Sequence, residues 1–186
     1  MLHYTVRAAI LNAVTAAAPG FRGRVLDVGC GSMPYREVLA AHGKVTEYIG
    51  LDIEANEKYG VFPHLLWDGN VIPLANAAVD NILTTEFLEH HPDPQAVLRE
   101  MHRVLAAGGS IFGTVPFIWN LHELPNDEFR YTPMSLERML SAAGFTDIKI
   151  EALGGWNYSL AQMLGLWITF APLGRLTRAI LKRVLY

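Results

Sequence analysis

The sequence predicts an α/β fold in which a mostly parallel, doubly wound sheet carries helices on both faces. Short apolar runs alternate with amphipathic segments, a glycine-rich turn follows the first apolar run, and acidic residues end four different predicted strands. Alternating strands and helices favour parallel pairing, because each helix returns the chain across the sheet. A single domain accounts for residues 1–186, with a core at 22–152 and a helical tail at 157–186.

The elements follow in order from an opening helix at 3–18, which Pro19-Gly20 closes. The helix at 34–42 has proline in its first turn and glycine after its end, the usual helix punctuation. A further helix is predicted at 94–105, and another runs from a Thr132 cap to Gly144. Strands are predicted at 24–28, 46–51, 63–67, 79–85, 110–115 and 146–152. The remaining chain reads as helix broken near Pro172, and the sequence offers no convincing seventh strand.

Charge and cysteine content exclude two classes of protein. The formal net charge of −3 argues against a nucleic-acid binder. The single cysteine, Cys30, excludes an internal disulfide and is consistent with a reducing cytoplasm. Charge is uneven, because no acid follows Glu151 while four basic residues do; without those four, the net charge of −3 becomes −7. We therefore expect a cytoplasmic protein with a local role for its basic tail.

The strongest local feature is the turn in VLDVGCGS, residues 25–32, where a buried strand runs into two glycines. Glycine permits positive φ and close approach of a ligand to the backbone, and ligands of doubly wound sheets lie at this edge. A dinucleotide fingerprint has glycine where this chain has Pro34. Asp27 would repel a pyrophosphate but suits an ammonium group. S-adenosylmethionine, which carries an ammonium and no phosphate, fits this turn better than a nicotinamide cofactor.

Three more acids end later strands. Asp52 follows the turn by about twenty residues, where a carboxylate can accept both hydroxyls of a ribose. Asp68, followed by Gly69, can accept an adenine amino group, and Glu86 borders the methionine end. Each acid alone is as well explained as a solvated loop residue, but the four together indicate a site for an adenosyl ligand.

These motifs resemble those of class I S-adenosylmethionine-dependent methyltransferases, in particular the small-molecule branch of the methyltransferase type 11 kind. The runs VLDVGCGSMPY and, from Trp67 to Pro116, WDGNVIPLANAAVDNILTTEFLEHHPDPQAVLREMHRVLAAGGSIFGTVP carry the resemblance, which covers residues 22–152. It implies a Rossmann-like fold. Departures from the usual pattern are Met33 in place of a small residue, Val79 in place of phenylalanine, and Ala106-Ala107 in place of a charged residue and proline.

By this resemblance, the cofactor contacts divide into three groups. The methionine end of the cofactor would contact Asp27, Gly29, Cys30 and Gly31. The ribose and adenine would contact Asp52, Ile53, Asp68 and Gly69. Glu86 and Phe87 would lie near the sulfonium. Two other readings stay open: a non-catalytic subunit that binds the cofactor, and an NAD-dependent oxidoreductase, which Pro34 and Asp27 disfavour.

Methyl transfer is an in-line displacement, so the protein mainly supplies position and electrostatics. A general base helps when the acceptor is an oxygen or nitrogen that carries a proton. The candidates are His122, His91 and His90, and no metal site is predicted. His122 lies in an aromatic loop at 116–131 that should cover the site. An alternative role for charges in this loop is an ion pair between Asp127 and Arg130 that holds it shut.

Two features suggest an acceptor in a glycan or lipid pathway. The loop from His122 to Pro133 loosely resembles that of bacterial methyltransferases of cell-surface glycan or lipid pathways. In the tail, apolar residues recur at helical spacing beside Arg175, Arg178, Lys182 and Arg183. Such a helix can lie on an anionic membrane, here the inner face. Two alternative interpretations of this helix are that it packs on the sheet or that it contacts a second subunit in a homodimer.

Overall fold

A computed structural model describes residues 2–53 and 62–185, with side chains for 5–53 and 62–183. Its centre is a five-stranded sheet with every strand parallel to its neighbours and the order β3-β2-β1-β4-β5. The chain therefore starts in the middle, fills one half of the sheet, and returns to fill the other. This reversal places a crevice at the carboxyl ends of β1 and β4, where ligands bind in doubly wound folds.

The elements alternate as the sequence predicts. In chain order they are α1 (Leu2–Ala17), β1 (Arg22–Val28), α2 (Arg36–His42), β2 (Lys44–Asp52), β3 (Leu65–Leu66), β4 (Val79–Thr85), α3 (Pro94–Val104), β5 (Leu105–Thr114), α4 (Pro133–Ala142), α5 (Trp156–Phe170) and α6 (Arg175–Leu185). Short 3-10 turns occur at Ala18–Gly20 and Leu88–His90. Helix ends obey local chemistry: Asp93 caps α3 by accepting from the Ala96 N–H, and Thr132 caps α4 through the Ser135 N–H.

Apolar side chains from both faces of the sheet form two cores. One core packs α3 and α4 against the sheet around Leu26, Ile82 and Leu98, all fully buried. The other packs α1 and α2 against the opposite face around Val25, Leu39 and Leu83. Adjacent residues of β1 and of β4 thus face opposite cores, which is why these strands read as continuous apolar runs. Burial on both faces holds the carboxyl ends of β1 and β4 in fixed positions.

The prediction of a sixth strand at 146–152 is wrong. The described chain forms no strand after β5, and residues 148–152 remain irregular. Asp147 has φ of 52°, a left-handed conformation that interrupts an extended chain. Residues 148–152 pair with none of the described strands, so their backbone donors and acceptors stay outside the sheet.

Several element boundaries also differ from prediction, and two strands differ most. The strand expected at 110–115 begins earlier, at Leu105, because the Gly108–Gly109 turn lies inside β5. The turn interrupts the regular pairing of β5 with β4 between the pairs Val79–Leu105 and Asn81–Ser110. The strand expected at 63–67 shrinks to Leu65–Leu66, which pair with Leu51 and Asp52 at the edge of the sheet. Both changes leave the carboxyl ends of the strands in their predicted places.

The chain ends in two consecutive helices, α5 and α6, separated at Pro172 as predicted. The Thr5 hydroxyl donates to the Gln162 amide oxygen at 3.0 Å and joins α5 to α1. Among the described residues, none of the helices combines the length and apolarity needed to cross a bilayer.

Candidate cofactor and acceptor site

Asp27 is almost completely buried at the carboxyl edge of the sheet. It lies in β1 opposite Gly50 of β2, and the Tyr48 hydroxyl, two residues earlier on the same strand, donates a hydrogen bond to its Oδ2. The other oxygen, Oδ1, is buried without a hydrogen-bond partner. A buried acceptor is costly to leave unpaired, so this oxygen is a place for a donor from a ligand.

Burial raises the pKa of the Asp27 carboxyl to about 7, while the hydrogen bond from Tyr48 lowers it and the charge of Asp52 raises it. The carboxyl is therefore poised near neutrality. A cation placed beside Oδ1 would favour the ionised form, as the prediction of an ammonium partner requires.

The glycine turn leaves open space beside Asp27. Gly31 has φ of 48°, and a side chain built there would meet nothing within 4 Å. Gly29 has φ of 72°, and a Cβ there would lie 2.5 Å from the Phe87 ring. The turn thus uses one glycine to let Phe87 pack closely and another to leave the space free. Both features suit a ligand lying over the turn.

Cys30 and Met33 form the underside of this turn. The Cys30 thiol is buried, and burial raises its pKa to about 12, so it is a packing residue rather than a nucleophile. Met33 is buried as well, and its sulfur would lie 2.8 Å from a Cβ built at Gly50. The unusual methionine therefore packs down on β2 and leaves the cofactor side of the turn clear.

Asp52 joins the turn to the end of β2. Its Oδ2 accepts from the Gly31 N–H at 2.9 Å, and its Oδ1 accepts from the Ile53 N–H at 2.8 Å. A carboxylate has about four lone-pair sites, so two remain for ribose hydroxyls. Ile53 is half exposed, which leaves an apolar side chain free to flank an adenine ring.

Asp68 and Gly69 lie after β3, at the far end of the crevice. Asp68 Oδ1 accepts from the backbone N–H groups of Asn70 and Val71, and these bonds hold the pKa of Asp68 below its usual range. The Gly69 carbonyl contacts His91 Nε2 at 2.7 Å. The turn is therefore rigid and faces Ile53, whose Cγ2 lies 3.9 Å from the position of a Gly69 Cβ.

His91 is held at both ring nitrogens. Nε2 donates to the Gly69 carbonyl, and Nδ1 accepts from the Asp93 N–H at 3.1 Å. Its ring also stacks on Trp67, with centroids 6.3 Å apart. With both nitrogens engaged, His91 holds the turn at Gly69 and has no ring nitrogen free to accept a proton.

Glu86 follows β4 and has φ of 50°, a strained conformation for a residue with a side chain. Its N–H donates to the Thr114 carbonyl of β5 at 2.9 Å. Burial raises the pKa of Glu86, and the Thr114 side chain and the positive charge of Arg130 partly oppose this rise. The strain places Glu86 and the buried ring of Phe87 at the middle of the crevice, where the resemblance puts the sulfonium.

The predicted loop at 116–131 covers this middle region. Arg130 binds both oxygens of Asp127, at 2.6 and 2.7 Å, and donates to the carbonyls of Asn120 and Phe129. The guanidinium holds the pKa of Asp127 well below its usual range. An ion pair between Asp127 and Arg130 therefore holds the loop in place, as the alternative to a catalytic role for these two residues predicts.

His122 and His90 meet beneath the loop. Their rings pack edge to face, with centroids 4.8 Å apart, and His122 Nδ1 lies 3.1 Å from Asp127 Oδ2. Glu89, fully buried, has one carboxylate oxygen 3.6 Å from His90 Nε2. The structure thus brings two of the three predicted histidines together, whereas His91 contacts Gly69 and Trp67.

Sequence reasoning missed several residues of the site. Tyr48 and Glu89 were not selected, although Tyr48 holds Asp27 and Glu89 adjoins both histidines. Tyr48 could have been found from the parallel register, since it lies two residues before the glycine that pairs with Asp27. Glu89 carries no such pattern, because its burial depends on the loop whose Glu128 and Phe129 N–H groups donate to its carbonyl.

Comparison with known proteins agrees with this arrangement. The family model described as a methyltransferase domain matches residues 2–150, most of the chain. The chain belongs to this family. The resemblance to S-adenosylmethionine-dependent methyltransferases and the predicted Rossmann-like fold are therefore confirmed, and the nicotinamide alternative gains no support.

One curated relative of this methyltransferase chain is the ubiquinone biosynthesis O-methyltransferase of Idiomarina loihiensis, 30% identical over 161 residues, which are 72% of this chain and 65% of the relative. The chain thus spans less than two thirds of that relative. A solved structure of an S-adenosylmethionine-dependent methyltransferase from Archaeoglobus fulgidus has a TM-score of 0.63 and 26% identity, with 78% of this chain and 71% of that one covered. The [4+2]-cyclase SpnF has a TM-score of 0.65 and 21% identity, with 89% and 68% covered, and shows the fold alone.

Proposed function

We propose that this methyltransferase chain moves a methyl group from S-adenosylmethionine to an oxygen atom of a small acceptor. The observation that carries the proposal is the unpaired buried oxygen of Asp27, next to the end of β1 where the glycine turn begins, because such an oxygen suits the cofactor's ammonium. Asp52 then accepts the ribose hydroxyls, and the segment from Asp68 to Gly69 contacts adenine. When bound, the cofactor supplies the methyl group as a sulfonium.

The protein's part in the reaction is alignment. Glu86 and Phe87 lie where the sulfonium would be, between the glycine turn and the loop at 116–131. Holding nucleophile, methyl carbon and sulfur in line contributes about 7–11 kcal/mol relative to the free reactants. No protein nucleophile is needed, which agrees with the buried thiol of Cys30.

The nature of the acceptor follows from the loop and from the relatives. Phe117, Leu121 and Leu124 are exposed on the loop that covers the site. The curated relative's name specifies O-methylation, and exposed apolar side chains near the crevice suit an acceptor with an apolar body. The proton of the acceptor hydroxyl would be taken up at the pair of His90 and His122, the latter oriented by Asp127.

The first test is cofactor binding. Asp52→Ala should weaken binding of S-adenosylhomocysteine tenfold or more, since a hydrogen bond to a charged group contributes about 1.5–3 kcal/mol. Isothermal titration calorimetry measures the affinity, and Glu137→Ala, an exposed acid on α4, is the matched control. Equal affinities for the wild type and Asp52→Ala, with folding intact, would contradict the site assignment.

The second test identifies the acceptor atom. Purified protein is incubated with methyl-labelled S-adenosylmethionine and matched sets of phenols, alcohols and amines of similar apolar size. We expect label in the phenols or alcohols. Label in the amines alone would move the acceptor to nitrogen. Cofactor binding without transfer to any acceptor class would instead favour the non-catalytic, cofactor-binding subunit.

We further propose that α5 and α6 rest on the inner, cytoplasmic face of an anionic membrane, where an acceptor from a lipid or glycan pathway would be reached. Large apolar side chains are exposed on both helices: Trp156, Leu160, Trp167, Phe170, Leu176 and Ile180. Arg175, Lys182 and Arg183 are exposed on α6. Cationic side chains beside an apolar stripe match anionic headgroups above acyl chains, and interfacial aromatics occur at that depth.

Vesicle sedimentation tests this surface. The protein should sediment with vesicles containing phosphatidylglycerol more than with pure phosphatidylcholine, and Arg175→Glu/Lys182→Glu should abolish the difference. Arg99→Glu/Lys44→Glu, also exposed and outside the tail, is the charge-matched control. Equal sedimentation of wild type and tail variant would reject the membrane, and a dimer in light scattering that the tail variant loses would assign the surface to a second copy.

A further inference from the structure

Three potential metal ligands converge under the loop at 116–131. Glu89 and His90 come from the 3-10 turn after β4, and His122 comes from the loop after β5. One ligand atom from each residue lies within 4.8 Å of the others. The cluster joins two chain segments that are distant in sequence, which makes it a feature of the tertiary structure.

The hydrogen bonds of the two imidazoles determine which nitrogen can accept a metal. His90 Nδ1 lies 3.0 Å from the Asn126 carbonyl, an acceptor, so Nδ1 carries the proton and donates it. His122 Nδ1 lies 3.1 Å from Asp127 Oδ2, also an acceptor, and 3.4 Å from Arg130 Nη2, a donor; we assign its proton to the shorter contact with Asp127. With Nδ1 as the donor, each ring presents Nε2 as the nitrogen that can bind a metal.

This pattern is that of metal-binding histidines. Metal ligands of this type commonly donate their second N–H to a carbonyl or carboxylate, which fixes the tautomer and the ring orientation. Here the carbonyl of Asn126 serves one ring and the carboxylate of Asp127 serves the other. Arg130 holds Asp127 in place through two short contacts, so the orientation of His122 is built into the loop.

The third ligand, Glu89, is a buried acid that the protein itself leaves without a hydrogen bond. Its side chain is fully buried, and neither carboxylate oxygen has a hydrogen-bond partner. A buried carboxylate without partners is costly, and coordination to a metal is one of the few ways to satisfy it. Its Oε1 lies 3.6 Å from His90 Nε2. Ligand atoms about 3.4 Å apart suit a tetrahedral zinc ion with bonds of about 2.0–2.2 Å.

We propose that Glu89, His90 and His122 bind a divalent transition-metal ion, such as zinc, with one coordination position left open. Two imidazoles and a carboxylate form a ligand set that favours zinc and its neighbours over magnesium or calcium. Both histidine side chains are partly exposed, at 18% and 26%, which provides an entry path and an open side.

The site would deepen the proposed function, on which this step rests. A hydroxyl bound at the open position is more acidic than the free one, so its proton can pass to solvent. The oxygen then forms its bond to the methyl carbon as the carbon–sulfur bond breaks, leaving the methyl ether and S-adenosylhomocysteine. The ion would therefore replace the direct uptake of the proton by His90 and His122: the two histidines would hold the ion, and the ion would make the hydroxyl more acidic.

Metal titration of the full chain is the test, with no cofactor present. After chelator treatment, Co²⁺ is added while visible absorption is recorded, and Zn²⁺ then competes for the site. We expect saturable binding of one ion per chain, with a rise in thermal midpoint. His122→Gln should weaken Co²⁺ binding at least tenfold, whereas His42→Gln, an exposed histidine on α2, should not change it.

Several outcomes would overturn the proposal: no saturable absorption change in the wild type, equal affinity in His122→Gln, or an equal loss in His42→Gln. Because Glu89 is buried, Glu89→Gln is read only for metal affinity after circular dichroism shows that it folds. S-adenosylhomocysteine binding is measured in parallel. Cofactor binding without metal binding would reject this site and leave the methyltransferase proposal standing, and metal binding without cofactor binding would do the reverse.

Discussion

Cofactor affinity should depend on pH through Asp27, whose buried oxygen is proposed to bind the cofactor's ammonium. Only the ionised carboxylate attracts that cation. With a pKa of about 7 in the ligand-free protein, the ionised fraction rises from about one eleventh at pH 6 to about one half at pH 7. Affinity for S-adenosylhomocysteine should therefore rise about fivefold over this interval and level off above it.

The groups that face Asp27 set this midpoint. Tyr48 donates to the carboxylate and favours ionisation, whereas burial and the negative charge of Asp52 oppose it. Cys30 and Tyr35 also lie near, but burial raises the pKa of both groups, so both stay neutral in this range. Tyr48→Phe should consequently move the rise in affinity to higher pH, since it removes the hydrogen bond that stabilises the charged form.

The assay is calorimetric titration at pH steps, repeated in two buffers of different ionisation enthalpy. Binding at pH 6 should release a proton, because the ligand's ammonium draws Asp27 into its ionised form. Asp27→Asn should bind weakly with a flat profile, which separates Asp27 from histidines that titrate in the same range. A wild-type affinity that is level from pH 6 to pH 7, or that falls, would refute the reasoning.

In the ligand-free protein, the contribution of Asp27 to folding stability changes with pH in the opposite direction to cofactor affinity. The pKa of Asp27 is raised in the folded chain from 3.8 to about 7, so the folded state holds its proton more tightly than the unfolded state. The contribution of Asp27 to stability is therefore greatest below the lower value, declines as pH rises between the two, and is constant above about 7. Saturating cofactor should offset this decline.

Two further predictions concern stability. Gly29→Ala should lower the free energy of unfolding by about 1–3 kcal/mol, because the positive φ of Gly29 and the nearby Phe87 ring leave no room for a Cβ. Gly20→Ala is the control, since a Cβ at Gly20 would have nothing within 4 Å. Equal denaturation midpoints for the two variants would contradict the packing argument. Tyr131→Phe should cost about 1–3 kcal/mol in chemical denaturation, because it removes the 2.8 Å hydrogen bond to the buried Leu88 carbonyl. No loss in that variant would mean that water replaces the hydroxyl.

Local patterns were sufficient for most of the fold. The predicted helix at 94–105 and the strand at 79–85 agree with α3 and β4 to within a residue, since each has a clear apolar period and polar ends. The strand predicted at 146–152 failed because alternation alone does not provide a partner strand. Whether an extended segment joins a sheet depends on how the rest of the chain brings it to a strand edge, which is a property of the whole fold.

The sequence by itself determined the parallel α/β architecture and the place of the four acids, because strand ends and glycine turns are encoded locally. Only the tertiary structure decided what those side chains contact. It paired Asp27 with Tyr48, tied both nitrogens of His91 to backbone, and brought Glu89 beside His90 and His122. Contacts of this kind join segments far apart along the chain, and their burial and hydrogen bonding exist only after the sheet and its covering loop have packed.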